Sequence, residues 1–168
     1  MDARPSLTPA VAAIRALFDA AACSVALVED DGATLTYVAA DGAGAAEIVG
    51  VELPVTRGIA GWTVMSGQAI AVRDVATDAR FARDVAESTH YVPRSLLAAP
   101  VFDAGGEATG VVSVLDARVD QAGDWSLAVL GTVASLVGLL ASGSDRTAED
   151  RLSALGRKVL AAVEELDR

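Results

Sequence analysis

Apolar positions at Val11, Ile14, Leu17 and Phe18 recur at the spacing of an amphipathic helix, and Thr8-Pro9 predicts its start, with Thr8 as the cap and proline in the first turn. Residues 23–29 change to a β-branched apolar run, Asp30-Asp31-Gly32 supplies a tight turn, and residues 34–40 continue with Leu35, Tyr37 and Val38, which predicts a hairpin. The small side chains of residues 42–50 read as a short helix or loop. Residues 51–55 follow as a strand that Pro54 marks as an edge. A short helix over 58–66 carries Gly58 and Gly61 at its start and Gly67 as its C′ stop, and a strand over 69–72 comes next. Residues 74–92 are polar and irregular, with a helical turn or two over 79–86; a long connection of this kind is where function concentrates. A second hairpin, 95–102 and 108–115 around the turn Asp103-Ala104-Gly105-Gly106, is almost wholly apolar and is expected at the sheet centre.

Asp124 is placed to cap a helix over the uncharged residues 125–144. Twenty residues would suffice for a membrane span, but serine, glycine and threonine dilute the stretch and aspartates flank it. Leu130, Val133, Val137 and Leu140 mark one stripe, so it reads as a helix that is buried or faces a second copy of the chain. In the tail, Leu152, Leu155, Val159, Val163 and Leu166 form a near-heptad stripe too short to stand alone. It needs the domain's surface or its own counterpart in a dimer.

The succession helix, hairpin, irregular crossing, hairpin, helix predicts an α+β domain: an antiparallel sheet of about six strands, with helices grouped on one side. Residues 1–16 begin the N-terminal helix, 17–141 form the domain, and 142–168 form a C-terminal amphipathic helix. At 168 residues and 52% hydrophobic composition the chain supports one core and excludes intrinsic disorder. A net charge of −10, with Lys158 as the sole lysine, argues against nucleic-acid binding. One cysteine permits neither an intrachain disulfide nor a thiolate metal cluster, and no secretory pattern opens the chain, so a cytoplasmic location is expected.

The runs Gly58-Ile59-Ala60-Gly61, Val72-Arg73-Asp74-Val75, Asp78-Ala79-Arg80-Phe81, Arg94-Ser95-Leu96-Leu97-Ala98-Ala99-Pro100-Val101 and Gly110-Val111-Val112-Ser113-Val114 resemble, in order and spacing, the GAF domain, a PAS-related fold. The resemblance covers residues 17–141. One departure is Gln121-Ala122-Gly123, where the family often carries a Phe. It implies a sensory or regulatory module, not an enzyme, whose pocket lies between sheet and crossing. Across the family that pocket serves cyclic nucleotides, tetrapyrroles, haem or small metabolites.

Residue types narrow this range. The crossing has no cysteine, which bilin attachment and sulfoxide reduction in the family require; Cys23 instead heads the first strand as a small buried hydrophobe. The chain has no asparagine, and Phe81 with Asp84 is a poor remnant of the cyclic-nucleotide pattern. His90, four residues before Arg94, resembles the proximal histidine of some haem-binding members, although a surface-loop histidine is the simpler reading; no cofactor other than this haem alternative is implied. Asp74, Asp78 and Asp84 read as a solvated acidic loop rather than a cation site, and Ser88, His90 and Asp84 lack the pattern of a nucleophilic triad. Aromatic walls with a few polar groups suit an apolar or planar ligand, so the candidate ligand-binding residues are Trp62, Phe81, His90, Tyr91, Arg94, Ser95 and Ser113. Homodimerisation through the terminal helices would pass a signal to an effector such as a kinase or transcription regulator. The competing expectation is a structural dimerisation module whose pocket is filled by its own side chains.

Overall fold

The first apolar stripe forms α1 (Thr8–Leu17), which buries Val11 and Ile14. The computed structural model describes residues 6–118 and 124–142, with side chains for all of these but 124 and 125. The tail stripe and the segment before Asp124 lie outside them. Leu7, rather than Thr8, holds the capping position of α1, and its carbonyl accepts from the Val11 amide at 3.0 Å without any side-chain cap. Proline in the first turn has no N–H to satisfy, which reduces the need for one.

Two hairpins make the sheet: β1 (Ala22–Val28) with β2 (Thr34–Gly42), and β5 (Leu96–Phe102) with β6 (Ala108–Leu115). Antiparallel pairing of β1 with β6 joins them. The short strands β3 (Glu52–Pro54) and β4 (Ile70–Val72) close the edges, giving the order β3-β2-β1-β6-β5-β4. Pro54 sits on an edge strand as expected, while β1 and β6 occupy the centre and β5 lies one place out.

Helices cover both faces, not one. Along β1 six consecutive residues are buried. Residue alternation sends Cys23, Val25 and Leu27 to one core and Ala26 to another, so a single helical layer would leave half of this surface wet. On the first face lie α1 and α5 (Asp124–Ala141), whose Leu130, Ala134 and Val137 pack with Leu97, Val101, Val112 and Val114. Each fully buried leucine or valine among these stabilises the fold by about 1.5–3 kcal/mol. Leu140, expected on that stripe, is half exposed along with Leu136. Gly138 brings α5 close to β5: a Cβ there would stand 2.4 Å from the Phe102 carbonyl oxygen. Among the described residues no helix is long and apolar enough to cross a membrane.

The second face carries α2 (Ala45–Ile48), α3 (Gly58–Ser66), a 3-10 turn (Val75–Thr77) and α4 (Arg83–Ser88). Gly67 ends α3 in the left-handed region, φ +65°. The expected helical turns of the crossing thus resolve into a 3-10 turn capped by Asp74, which accepts from the Ala76 amide at 3.0 Å, and the separate α4.

Candidate functional site

Between the second face of the sheet and these short helices lies a cavity of about 100 Å³. Its floor is built from β1, β5 and β6, with Ser24, Leu96, Ser113 and Leu115. Ser24 and Ser113 are cross-strand partners, each more than nine-tenths buried. Their neighbours Val25, Val112 and Val114 turn to the α1/α5 face, so both hydroxyls turn to the cavity. Among the described residues neither Oγ makes a hydrogen bond.

A bulge shapes the β2 wall. Val25 pairs with Ala39 and Ala26 with Tyr37, leaving Val38 as the extra residue. The bulge inverts the alternation, so that Tyr37 and Ala40 both line the cavity despite their odd separation. Burial pushes the Tyr37 phenol up to about 12. The remaining walls come from Ile48 of α2, Ile59 of α3, Phe81, and Val85 of α4. The approach of α2 to the end of α4 depends on Gly44, at φ +70°, where a Cβ would meet the Thr89 side chain at 3.1 Å.

Cys23 is also part of the lining, but its side chain belongs to the core on the other face. Burial first, and then Asp41, pushes its thiol up to about 12, so it is a neutral thiol at physiological pH. Among the described residues no acidic, basic or histidine side chain lines the cavity.

Asp116, just after β6 and at φ +50°, fixes one corner of this site. Its carboxylate accepts from the Arg94 amide at 2.9 Å, the Ser95 amide at 2.8 Å, the Ser95 hydroxyl at 3.3 Å, and the Tyr91 hydroxyl. Desolvation, followed by the bond to Asp116, pushes the Tyr91 phenol up to about 12. On the outer side of Phe81 a wider groove of about 600 Å³ contains Trp62, Met65, Arg57 and Arg80. The Arg80 guanidinium lies 4.7 Å from the Trp62 ring centre, and Arg57 reaches Asp84 at 2.6 Å.

Of the seven residues proposed from the sequence, Phe81, Tyr91 and Ser113 come together in the cavity lining, and Trp62 lies in the outer groove. His90, Arg94 and Ser95 line neither. Arg94 and Ser95 are taken up by the Asp116 corner, and His90 is exposed at φ +58°, serving as the left-handed residue that ends α4. Haem does not fit these residues: the histidine faces away from the lining, and the space is well below the roughly 300–1,000 Å³ of drug-sized sites. Asp74, Asp78 and Asp84 are engaged with the Ala76 amide, Arg80 and Arg57, and no metal-binding group of three ligands forms among the described residues. Sequence reasoning missed Ser24, Tyr37 and Asp116. Ser24 did carry a signal, as a lone hydroxyl inside a run of buried apolar residues.

A six-stranded antiparallel sheet with helices on both faces and a cavity beneath the irregular crossing makes this an α+β domain built around an internal cavity. The GAF domain family model matches residues 2–140, and the chain belongs to that family, whose members are mostly sensory and regulatory modules. The GAF domain of a phosphoenolpyruvate-protein phosphotransferase from Acinetobacter is similar with a TM-score of 0.68 at 19% identity, over 83% of this chain and 81% of that one. A free methionine-R-sulfoxide reductase from Neisseria meningitidis, solved with its substrate, gives 0.67 at 21% identity, over 82% and 77%. The second GAF domain of DevS from Mycobacterium smegmatis gives 0.63 at 16% identity, over 92% and 96%. At these identities the likeness establishes the fold alone. Comparison with curated protein sequences yields no match.

Proposed function

We propose that this GAF domain is a non-catalytic receptor that binds a small molecule in the cavity and signals through its terminal helices to a partner or output domain. The observation that carries this reading is the arrangement of β1 and β6. Their Ser24 and Ser113 face the cavity while their Val25, Val112 and Val114 support α1 and α5. A guest that prefers one spacing of these strands would bias the packing of the helices behind them. Within this reading the protein is a cytoplasmic homodimer, residues 17–141 form the sensing unit, and the effector is a kinase or transcription regulator. Phe81, Tyr91 and Ser113 contact the ligand, with Trp62 bordering the entrance.

The chemistry of the lining supports the non-catalytic reading. The thiol is buried and protonated, and among the described residues no general base stands beside the hydroxyls and no charged side chain lines the cavity. A thermal-shift screen of small metabolites tests the receptor role. A ligand selective for the folded chain raises its melting temperature in proportion to RT ln(1 + [L]/Kd), about 2.7 kcal/mol at a hundredfold excess over Kd. At least one compound is expected to do so, and the effect should vanish when Ser113→Leu fills the floor. A silent screen favours the structural dimerisation module instead.

A further inference from the structure

Resting on the receptor reading, we infer that the ligand is a small uncharged molecule with one hydroxyl, carbonyl or amide group, held at the cavity floor by Ser24 and Ser113. Ser24 and Ser113, residues more than nine-tenths buried, lie opposite each other across β1 and β6, and their hydroxyls open onto the cavity with no hydrogen-bond partner among the described residues. Unmet buried hydroxyls are unfavourable, and a guest bearing a donor or acceptor removes that penalty. Each serine can both donate and accept, so alcohol, ketone and amide groups all fit the pair. The strand backbone cannot substitute, because the amides and carbonyls of β1 and β6 are committed to each other and to the neighbouring strands β2 and β5.

Charge is excluded by the walls. Ile48, Ile59, Phe81 and Val85 present apolar surface, and among the described residues no ionised side chain lines the space to pair with a carboxylate, phosphate or ammonium. An ion moved into such a site would lose its hydration without a counter-charge. Volume sets the size: a cavity of about 150 Å³ accommodates the six heavy atoms of benzene, so about 100 Å³ corresponds to a guest of roughly four heavy atoms, and a benzene-sized ring enters only as the walls expand.

Phenol, benzene and benzoate form a matched probe set for calorimetric titration against the full chain at neutral pH. Phenol is expected to bind most tightly, benzene more weakly, and benzoate at least tenfold more weakly than phenol. Ser24→Ala and Ser113→Ala should each weaken phenol about 3- to 10-fold and leave benzene unchanged or tighter, since one hydrogen bond is lost in each. Both variants should fold, because each removes an unpartnered hydroxyl. Equal binding of phenol and benzene, unaffected by either variant, overturns this inference but leaves the receptor reading intact. Benzoate binding as tightly as phenol, or a charged compound emerging from the thermal-shift screen, does the same. Absence of heat with every probe, together with a silent screen, overturns both.

Discussion

Asp116→Ala removes a single carboxylate that accepts from the Ser95 amide at 2.8 Å, the Arg94 amide at 2.9 Å and the Tyr91 hydroxyl. The Arg94 amide is exposed and water replaces its partner, but the Ser95 and Tyr91 donors are partly buried. Bonds to a charged acceptor contribute roughly 1.5–3 kcal/mol each, and solvent access at this rim reduces the two that matter to a combined loss of about 2–4 kcal/mol. The position is also left-handed, φ +50°, which an aspartate or asparagine tolerates better than alanine. For a chain of this length, 1 kcal/mol corresponds to about 2–4 °C, so Asp116→Ala should melt about 5–15 °C below the parent by circular dichroism. Asp116→Asn retains one acceptor oxygen and the backbone tolerance, and should lose less than half as much. An alanine variant melting within about 2 °C of the parent, or an asparagine variant no better than alanine, refutes the assignment of this carboxylate as the clamp on the cavity corner.

The chain's two tyrosines both have phenols held at about 12 against an ordinary 10.0, so absorbance at 295 nm should show no tyrosinate at pH 10.5 in the native protein and substantial tyrosinate in 8 M urea. Because the folded-state values are raised, this contribution to stability is complete below pH 10 and is lost as pH climbs from about 10 to about 12; a flat urea midpoint across that window contradicts it. Cys23 should resist a thiol-specific chromogenic reagent at pH 8 until urea unfolds the chain, and rapid native labelling would contradict its burial. His90→Gly should leave stability within about 1 kcal/mol of the parent, on the stabilised side, since glycine relieves the left-handed backbone strain. It should also leave phenol affinity unchanged; a loss of binding would restore the histidine to the site.

Both hairpins and the edge position of Pro54 were legible because they rest on local signals: alternating apolar runs, turn residues, and proline's missing donor. The five GAF-like motifs carried the fold, and Phe81 and Ser113 fell within them. Legibility ended where side-chain direction depends on pairing across the sheet. The β2 bulge that turns Tyr37 inward has no single-residue signature, and the Ser24–Ser113 pair exists only through the register of β1 with β6. His90, Arg94 and Ser95 were drawn into the site by closeness in sequence, yet Asp116 engages Arg94 and Ser95, and the turn after α4 exposes His90. The second helical layer was missed for a related reason: an apolar strand signals burial, but not that its two faces belong to different cores.

If the sheet floor offers two free hydroxyls to an uncharged guest, a crystal structure of the chain saturated with phenol will show the guest seated on that floor. The ring is expected between Phe81 and Ile59, with its oxygen about 2.8 Å from both the Ser24 and the Ser113 hydroxyl. Density showing the same volume closed by the protein's own side chains, or phenol bound only elsewhere, would contradict it.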